Sequence, residues 1–196
     1  MKSKRDNIKQ LISLLQKKKF HDAIRLGEKV DNKQRSYLFF DIMGTAYFGT
    51  GQIKLAISSF HKSIYLNNQF IPSYVNLGKA MTKIKNFKTA EQAFNKALQL
   101  NNSETQALIG KGLIKVKQGL LREAVKFYEA SLQIKLDRFA VRTLAAIYTN
   151  LWEDKKDFKD LLRAKELLEK DFFAFPNDAG TTLHHLSGLM ARMSFI

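Results

Sequence analysis

The chain has 196 residues, 45% apolar and 26% charged, with no cysteine and a formal charge of +15. That length carries one or two domains with a real core, and the missing thiols exclude a disulfide framework, thiolate metal centres, iron–sulfur clusters and cysteine catalysis. No apolar run approaches the ~18–20 residues of a membrane-spanning helix. The start, Met1-Lys2-Ser3-Lys4-Arg5-Asp6-Asn7, leads into an amphipathic segment rather than an apolar leader core, so the expected location is cytoplasmic.

Residues 4–36 read as a degenerate helix pair, with Leu11, Leu14, Phe20 and Ala23 on its apolar faces and Lys17-Lys18-Lys19 in its turn. From Tyr37 the pattern becomes regular. Gly44, Gly78 and Gly112 stand 34 residues apart, as do Ala56, Ala90 and Ala124, then Phe60, Phe94 and Tyr128, then Ser63, Ala97 and Ser131. Counting from Tyr37, Ile71 and Thr105, the glycines fall at position 8, the alanines at 20, the aromatics at 24 and the last small residues at 27. Phe40, Tyr74 and Leu108, with Met43 and Leu77, add an apolar stripe at helical spacing. Small residues are expected where the two helices of a unit cross, and the aromatic is expected to fill the space between that pair and the next unit. Gly49-Thr50-Gly51, Lys85-Asn86 and Gln118-Gly119 mark the turns inside units, where Gly or Asn tolerates a left-handed backbone. Asn67-Asn68 and Asn101-Asn102 mark the joins.

Arg142, Ala145, Ala146 and Thr149 carry the register into a fourth first helix, from Phe139 to about Trp152. Ala164, Leu168 and Pro176 then fit their columns only with six residues inserted around Glu153–Phe158. The charges there, Glu153, Asp154, Lys155, Lys156, Asp157, Lys159 and Asp160, predict a solvated insertion. A last helix over Asp178–Arg192 is expected as a cap. The resulting organisation is one domain, 1–196: a degenerate unit 4–36, clear units 37–70, 71–104 and 105–138, a unit with an insertion at 139–178, and a capping helix in 179–196.

This pattern resembles the tetratricopeptide repeat family, whose signature runs W-x2-L-G-x2-Y…A-x3-F…P over 34 residues. The best match is Tyr74-x2-Leu77-Gly78-x2-Met81 followed by Ala90-x3-Phe94, and Tyr47 fills the position-11 aromatic of the first clear unit. Lys111 and Lys115 depart from it in the third unit, and Asn68, Asn102 and Leu136 replace the terminal proline. The resemblance implies an all-α fold, a right-handed α-solenoid of antiparallel helix pairs with about five units plus a C-terminal capping helix. It also implies a groove lined by first helices at positions 2, 5, 9 and 12–13. Those are Asp41, Thr45 and Phe48; Val75, Lys79, Thr82 and Lys83; Gln106, Ile109, Leu113 and Lys117; and Thr143, Ile147 and Asn150. Asn76 at position 6 is expected to meet a peptide backbone. The subclass that clamps the carboxylate-rich tails of heat-shock chaperones is not matched: its five positions hold Asp41, Thr45, Asn76, Gln106 and Gly110, of which only Asn76 fits.

No catalytic constellation stands apart from the repeat, so no enzyme, cofactor or metal site is expected. Gly44-x4-Gly49 lacks the Lys-Ser/Thr of a P-loop and falls within a helix. His184-His185 diverge by about 100° on a helix, too far to share a metal easily, and predict one buried and one exposed imidazole. The acids at 153–160 lack the glycine and terminal glutamate of a calcium loop.

Residues 1–36 carry eleven basic and four acidic side chains, while residues 139–178 are slightly acidic. The expectation is a non-catalytic scaffold holding an acidic peptide or protein in its groove, with a homo-oligomer through the apolar C-terminal helix (Leu183, Leu186, Leu189, Met190, Met193 and Phe195) as a further partner. Two alternatives remain open: a docking or regulatory arm of a larger glycosyltransferase- or sulfotransferase-type enzyme, and a basic scaffold on nucleic acid. Sequence-specific nucleic-acid reading is disfavoured because twenty-five of the thirty-three bases are lysine and the aromatics occupy packing columns.

Overall fold

The computed structural model describes residues 4–194. Met1, Lys2, Ser3, Phe195 and Ile196 lie outside the described residues, and with them the expected apolar contribution of Phe195. Every regular element among the described residues is helical. The chain divides into two compact units, Met1–Asn102 and Ser103–Ile196, and the division falls at the Asn101-Asn102 join.

The first unit holds α1 (Lys4–Gln16), α2 (Phe20–Glu28), a 3-10 turn (Asn32–Gln34), α3 (Tyr37–Gly49), α4 (Ile53–Leu66), α5 (Ile71–Lys83) and α6 (Phe87–Leu100). The pairs α3/α4 and α5/α6 are hairpins, and α4 packs on α5. Helix starts follow local chemistry: Ser36 accepts from Phe39 N and Asn86 from Thr89 N, while Pro72 sits in the first turn of α5. Helix ends at Asn67 and Asn101 turn extended, and the Asn67 carboxamide accepts from Gln69 N.

Small columns and aromatic columns meet face to face. A Cβ placed on Gly44 would lie 2.5 Å from the Phe60 ring, and one on Gly78 would lie 2.6 Å from the Phe94 ring. Ala56, Ala90, Phe60 and Phe94 are essentially inaccessible. The position-24 aromatic rests on the glycine of its own unit's first helix, and Tyr128 also packs with Ala140, Val141 and Leu144 of the following pair, as the column pattern predicts. The degenerate unit uses the same device differently: the Phe20 ring abuts Gly49, and Met43 abuts Gly27.

The turns also differ in one respect from expectation. Gly51 is left-handed at φ 79°, but in the next turn Lys85 takes the left-handed conformation (φ 61°) and Asn86 is the helix cap. Lys18 does the same at φ 54°. A side chain there costs roughly 1 kcal/mol relative to glycine.

The second unit holds α7 (Thr105–Lys117), α8 (Leu121–Ile134), α9 (Arg138–Lys155), α10 (Phe158–Ala174), a 3-10 turn (Pro176–Asp178) and α11 (Ala179–Met193). Gly112 sits under the Tyr128 ring, where a Cβ would approach to 2.8 Å. Tyr128 is fully buried, and burial pushes its phenol up to about 12. The expected insertion is helix rather than loop: α9 has 18 residues and α10 has 17, against 13 and 14 in α7 and α8, with only Lys156-Asp157 between them. Lys156 closes α9 at φ 55° with its ammonium 4.4 Å from the Trp152 ring centroid.

Substituting Gly78 with alanine should destabilise the protein by about 1–3 kcal/mol, because the Phe94 ring has nowhere to retreat in a packed core. Gly180 has nothing within 4 Å of its Cβ position, so Gly180→Ala should cause no loss. Urea unfolding of the two variants checks the contrast.

Candidate interaction surfaces

In the first unit α3 turns one edge towards its hairpin partner α4 and another towards α5, so only part of its circumference can meet a ligand. In the first unit Lys79 and Lys83 are exposed, and Thr45 and Phe48 are half-buried. Asp41, Val75 and Thr82 are buried, and the Thr82 hydroxyl donates to the Gly78 carbonyl at 2.8 Å. In the second unit Lys117 and Asn150 are exposed, while Gln106, Leu113 and Thr143 are half-buried and Ile109 and Ile147 buried. Five expected groove residues, Asp41, Val75, Thr82, Ile109 and Ile147, therefore serve packing. Position 5 is buried in all three clear units.

Asp41 shows what happens at that seam. Ser73 Oγ on α5 lies 2.8 Å from Asp41 Oδ1 and 2.7 Å from Ser63 Oγ on α4, and Ser63 Oγ lies 2.8 Å from the Tyr37 carbonyl. Asn76 Nδ2 donates to Asp41 Oδ1 at 3.1 Å, so the amide expected to meet a peptide is already engaged. Two serine protons serve three O···O contacts when Asp41 is ionised; a proton on the carboxyl supplies the third. Burial raises the Asp41 pKa, and the hydrogen bonds from Ser73 and Asn76 act in the opposite direction.

A second buried carboxylate organises the end of the other unit. Asp171 on α10 is fully buried, with Arg142 Nε 2.8 Å from Oδ2 and Arg138 Nε 3.3 Å from Oδ1, both from α9. Thr182 on α11 donates to Oδ2 and receives Arg142 Nη2 at 2.7 Å. The Arg138 guanidinium lies 5.2 Å from the Phe175 ring centroid. One carboxylate thus ties three helices together.

Between α9 and α11 lies a cleft of about 410 Å³ floored by Ala145, Ala146, Leu168 and Leu189 and rimmed by Thr149, Asn150, Glu153, His184, His185 and Arg192. Ala146 and Leu168 occupy the columns that elsewhere hold glycine and its covering ring. Arg192 pairs with Glu153 at 3.3 Å across the rim. Both histidines are exposed, so the expected buried imidazole is absent; the seam of α11 is carried by Thr182, Leu186, Leu189 and Met193. Leu183 and Met190 face outward. Among the described residues no group of three His, Asp or Glu could hold a metal, and no helix is long and apolar enough to cross a membrane.

Helix hairpins repeated at 34 residues, with glycine–ring packing inside each and polar side chains left on the first helices, define an all-α repeat protein of the interaction type. A model of the tetratricopeptide repeat family matches residues 71–104 and 105–138, so the chain carries two adjacent tetratricopeptide repeats there. No match to a curated protein sequence reaches significance. Among solved structures, TTC0263, a thermophilic tetratricopeptide-repeat protein of Thermus thermophilus, aligns over 96% of this chain and all of its own at 13% identity and a TM-score of 0.78. MamA aligns over 81% of this chain and 94% of its own at 26% identity with a TM-score of 0.66; another MamA structure aligns over 88% and 94% at 24% identity with a TM-score of 0.69.

Two expectations follow. Asp41 binds its proton more tightly folded than unfolded, so its contribution to stability is full below the ordinary carboxylate range and is lost as pH rises through the raised value. Asp41→Asn should remove that loss, and its advantage over the parent in urea midpoint should grow from acidic to neutral pH. Asp171→Ala should cost about 3–5 kcal/mol by leaving two arginines facing an empty site, and amide exchange in α11 should accelerate with it.

Proposed function

We propose that the chain is a non-catalytic protein-interaction scaffold that holds an extended acidic segment along its first helices. The observation that carries this reading is the α9–α11 cleft, with its apolar floor and its rim of amide and imidazole groups and the Arg192–Glu153 pair. Such a lining suits an apolar anchor side chain flanked by acceptors or carboxylates. Lys79 and Lys83 offer the first unit's first helices a second cationic contact for the same kind of ligand. The fold likeness to TTC0263 and MamA supports the scaffold reading at the level of architecture.

Affinity purification with the intact chain, Ala146→Trp and Lys79→Glu/Lys83→Glu tests it. Ala146 is exposed within the cleft, so tryptophan there fills the floor without entering the core. Partners that survive both variants undiminished would sink the assignment of these faces; loss with one variant identifies the unit that carries the contact.

A further inference from the structure

Antiparallel pairing brings the ends of α1, α3 and α5 and the starts of α2, α4 and α6 to one end of the first unit, as the contact of Phe20 with Gly49 shows. That end is crowded with lysine. Lys17, Lys18 and Lys19 form its first tip; Lys54 opens α4; Lys83 and Lys85 flank the third tip, and Lys88 opens α6. All are exposed, and none lies in an ion pair among the described residues. Asp22, the acid in the first turn of α2, is already taken by Arg25 at 3.7 Å. In the second unit Lys115, Arg122, Arg142, Arg163, Lys165 and Arg192 have carboxylate partners, while the exposed Lys117, Lys155, Lys156 and Lys159 lie in no ion pair among the described residues.

Local physics does not favour lysine at most of these places. Lys18 and Lys85 occupy left-handed backbone where glycine is cheaper. Lys19 is a helix N-cap with no side-chain hydrogen bond to offer. Lys54 and Lys88 lie in first turns that contain no acid, against the helix dipole. Like charges at one end also repel. Folding alone gives no reason for this concentration of cations, and an external anion would relieve it.

We propose that this lysine rim docks the protein on an anionic phospholipid surface. Ammonium groups on flexible stems, spread over three hairpin tips, suit diffuse charge better than bidentate reading. Two aliphatic side chains stand among the lysines, Leu55 at 48% and Ile84 at 51% exposure. Ile84 lies between Lys83 and Lys85 at the tip itself. A bilayer's headgroup region accepts such side chains, whereas phosphates along a duplex do not.

The test is sedimentation of the full chain with vesicles of phosphatidylcholine alone and with added phosphatidylserine, at low and physiological salt. Binding should need phosphatidylserine and weaken with salt. Lys18→Gly/Lys85→Gly should reduce the affinity at least roughly 20-fold, at about fivefold per lysine near the surface, while raising the thermal midpoint because the backbone strain is relieved. Opposite movement of the two readouts separates lost docking from lost folding. Ile84→Ser should weaken vesicle binding further. Failure to sediment at low salt, or equal sedimentation with neutral vesicles, overturns the proposal. Tighter binding to mixed-sequence duplex DNA, insensitive to Ile84→Ser, overturns it too and gives the rim to nucleic acid.

Discussion

The contact of an aromatic ring with a bare α-carbon sets the geometry of the clear repeats. Phe60 on Gly44, Phe94 on Gly78 and Tyr128 on Gly112 occupy space that a single Cβ would claim. Each contact fixes how closely the two helices of a hairpin approach and how they rotate about one another, because a ring admits little adjustment in a dense interior. The alanine at position 20 completes the fit from the other helix. Everything placed on the first helices inherits its direction from this contact.

Where the contact is replaced, the structure opens. Ala146 and Leu168 stand in for glycine and ring in the lengthened pair, and α9 and α11 have an apolar recess between them. The ionic knot at Asp171 supplies the positional definition that ring packing supplies elsewhere, holding α9, α10 and α11 at fixed places by charge. A buried carboxylate with two guanidinium partners is a weak source of net stability but a strict source of geometry, since misplacing any member strands a charge. The cleft is thus framed by directional interactions on a floor of alanine and leucine.

The 34-residue period was legible because glycine and aromatic positions tolerate so few substitutes that their spacing survives in one sequence. Other features had no periodic signal. Asp171 meets arginines 29 and 33 residues earlier, a pairing visible only once the helices are stacked. The charged stretch Glu153–Phe158 looked like loop because its charges are mixed, yet Glu and Lys are good helix formers and the added residues simply lengthen two helices. Of the residues expected to line a groove, Lys79, Lys83, Lys117 and Asn150 are exposed, while position 5 is closed, in the first unit by the next first helix across Ser73 and Asn76. Lysines in left-handed turns went unrecognised because glycine or asparagine is the ordinary solution there.

The polar chain from Tyr37 through Ser63 and Ser73 to Asp41 also bears on how this array could be rearranged. Its members come from two successive units, and the equivalent places further along hold Ala97 and Ala107, then Ser131 and Val141. A unit bearing Asp41 and Ser63 therefore has one suitable successor in this chain. Moving repeat 71–104 elsewhere, or duplicating 105–138 in its place, would bury a carboxylate beside aliphatic carbon. The units look interchangeable in their glycine and aromatic columns, but their order is written in oxygen atoms at a single joint.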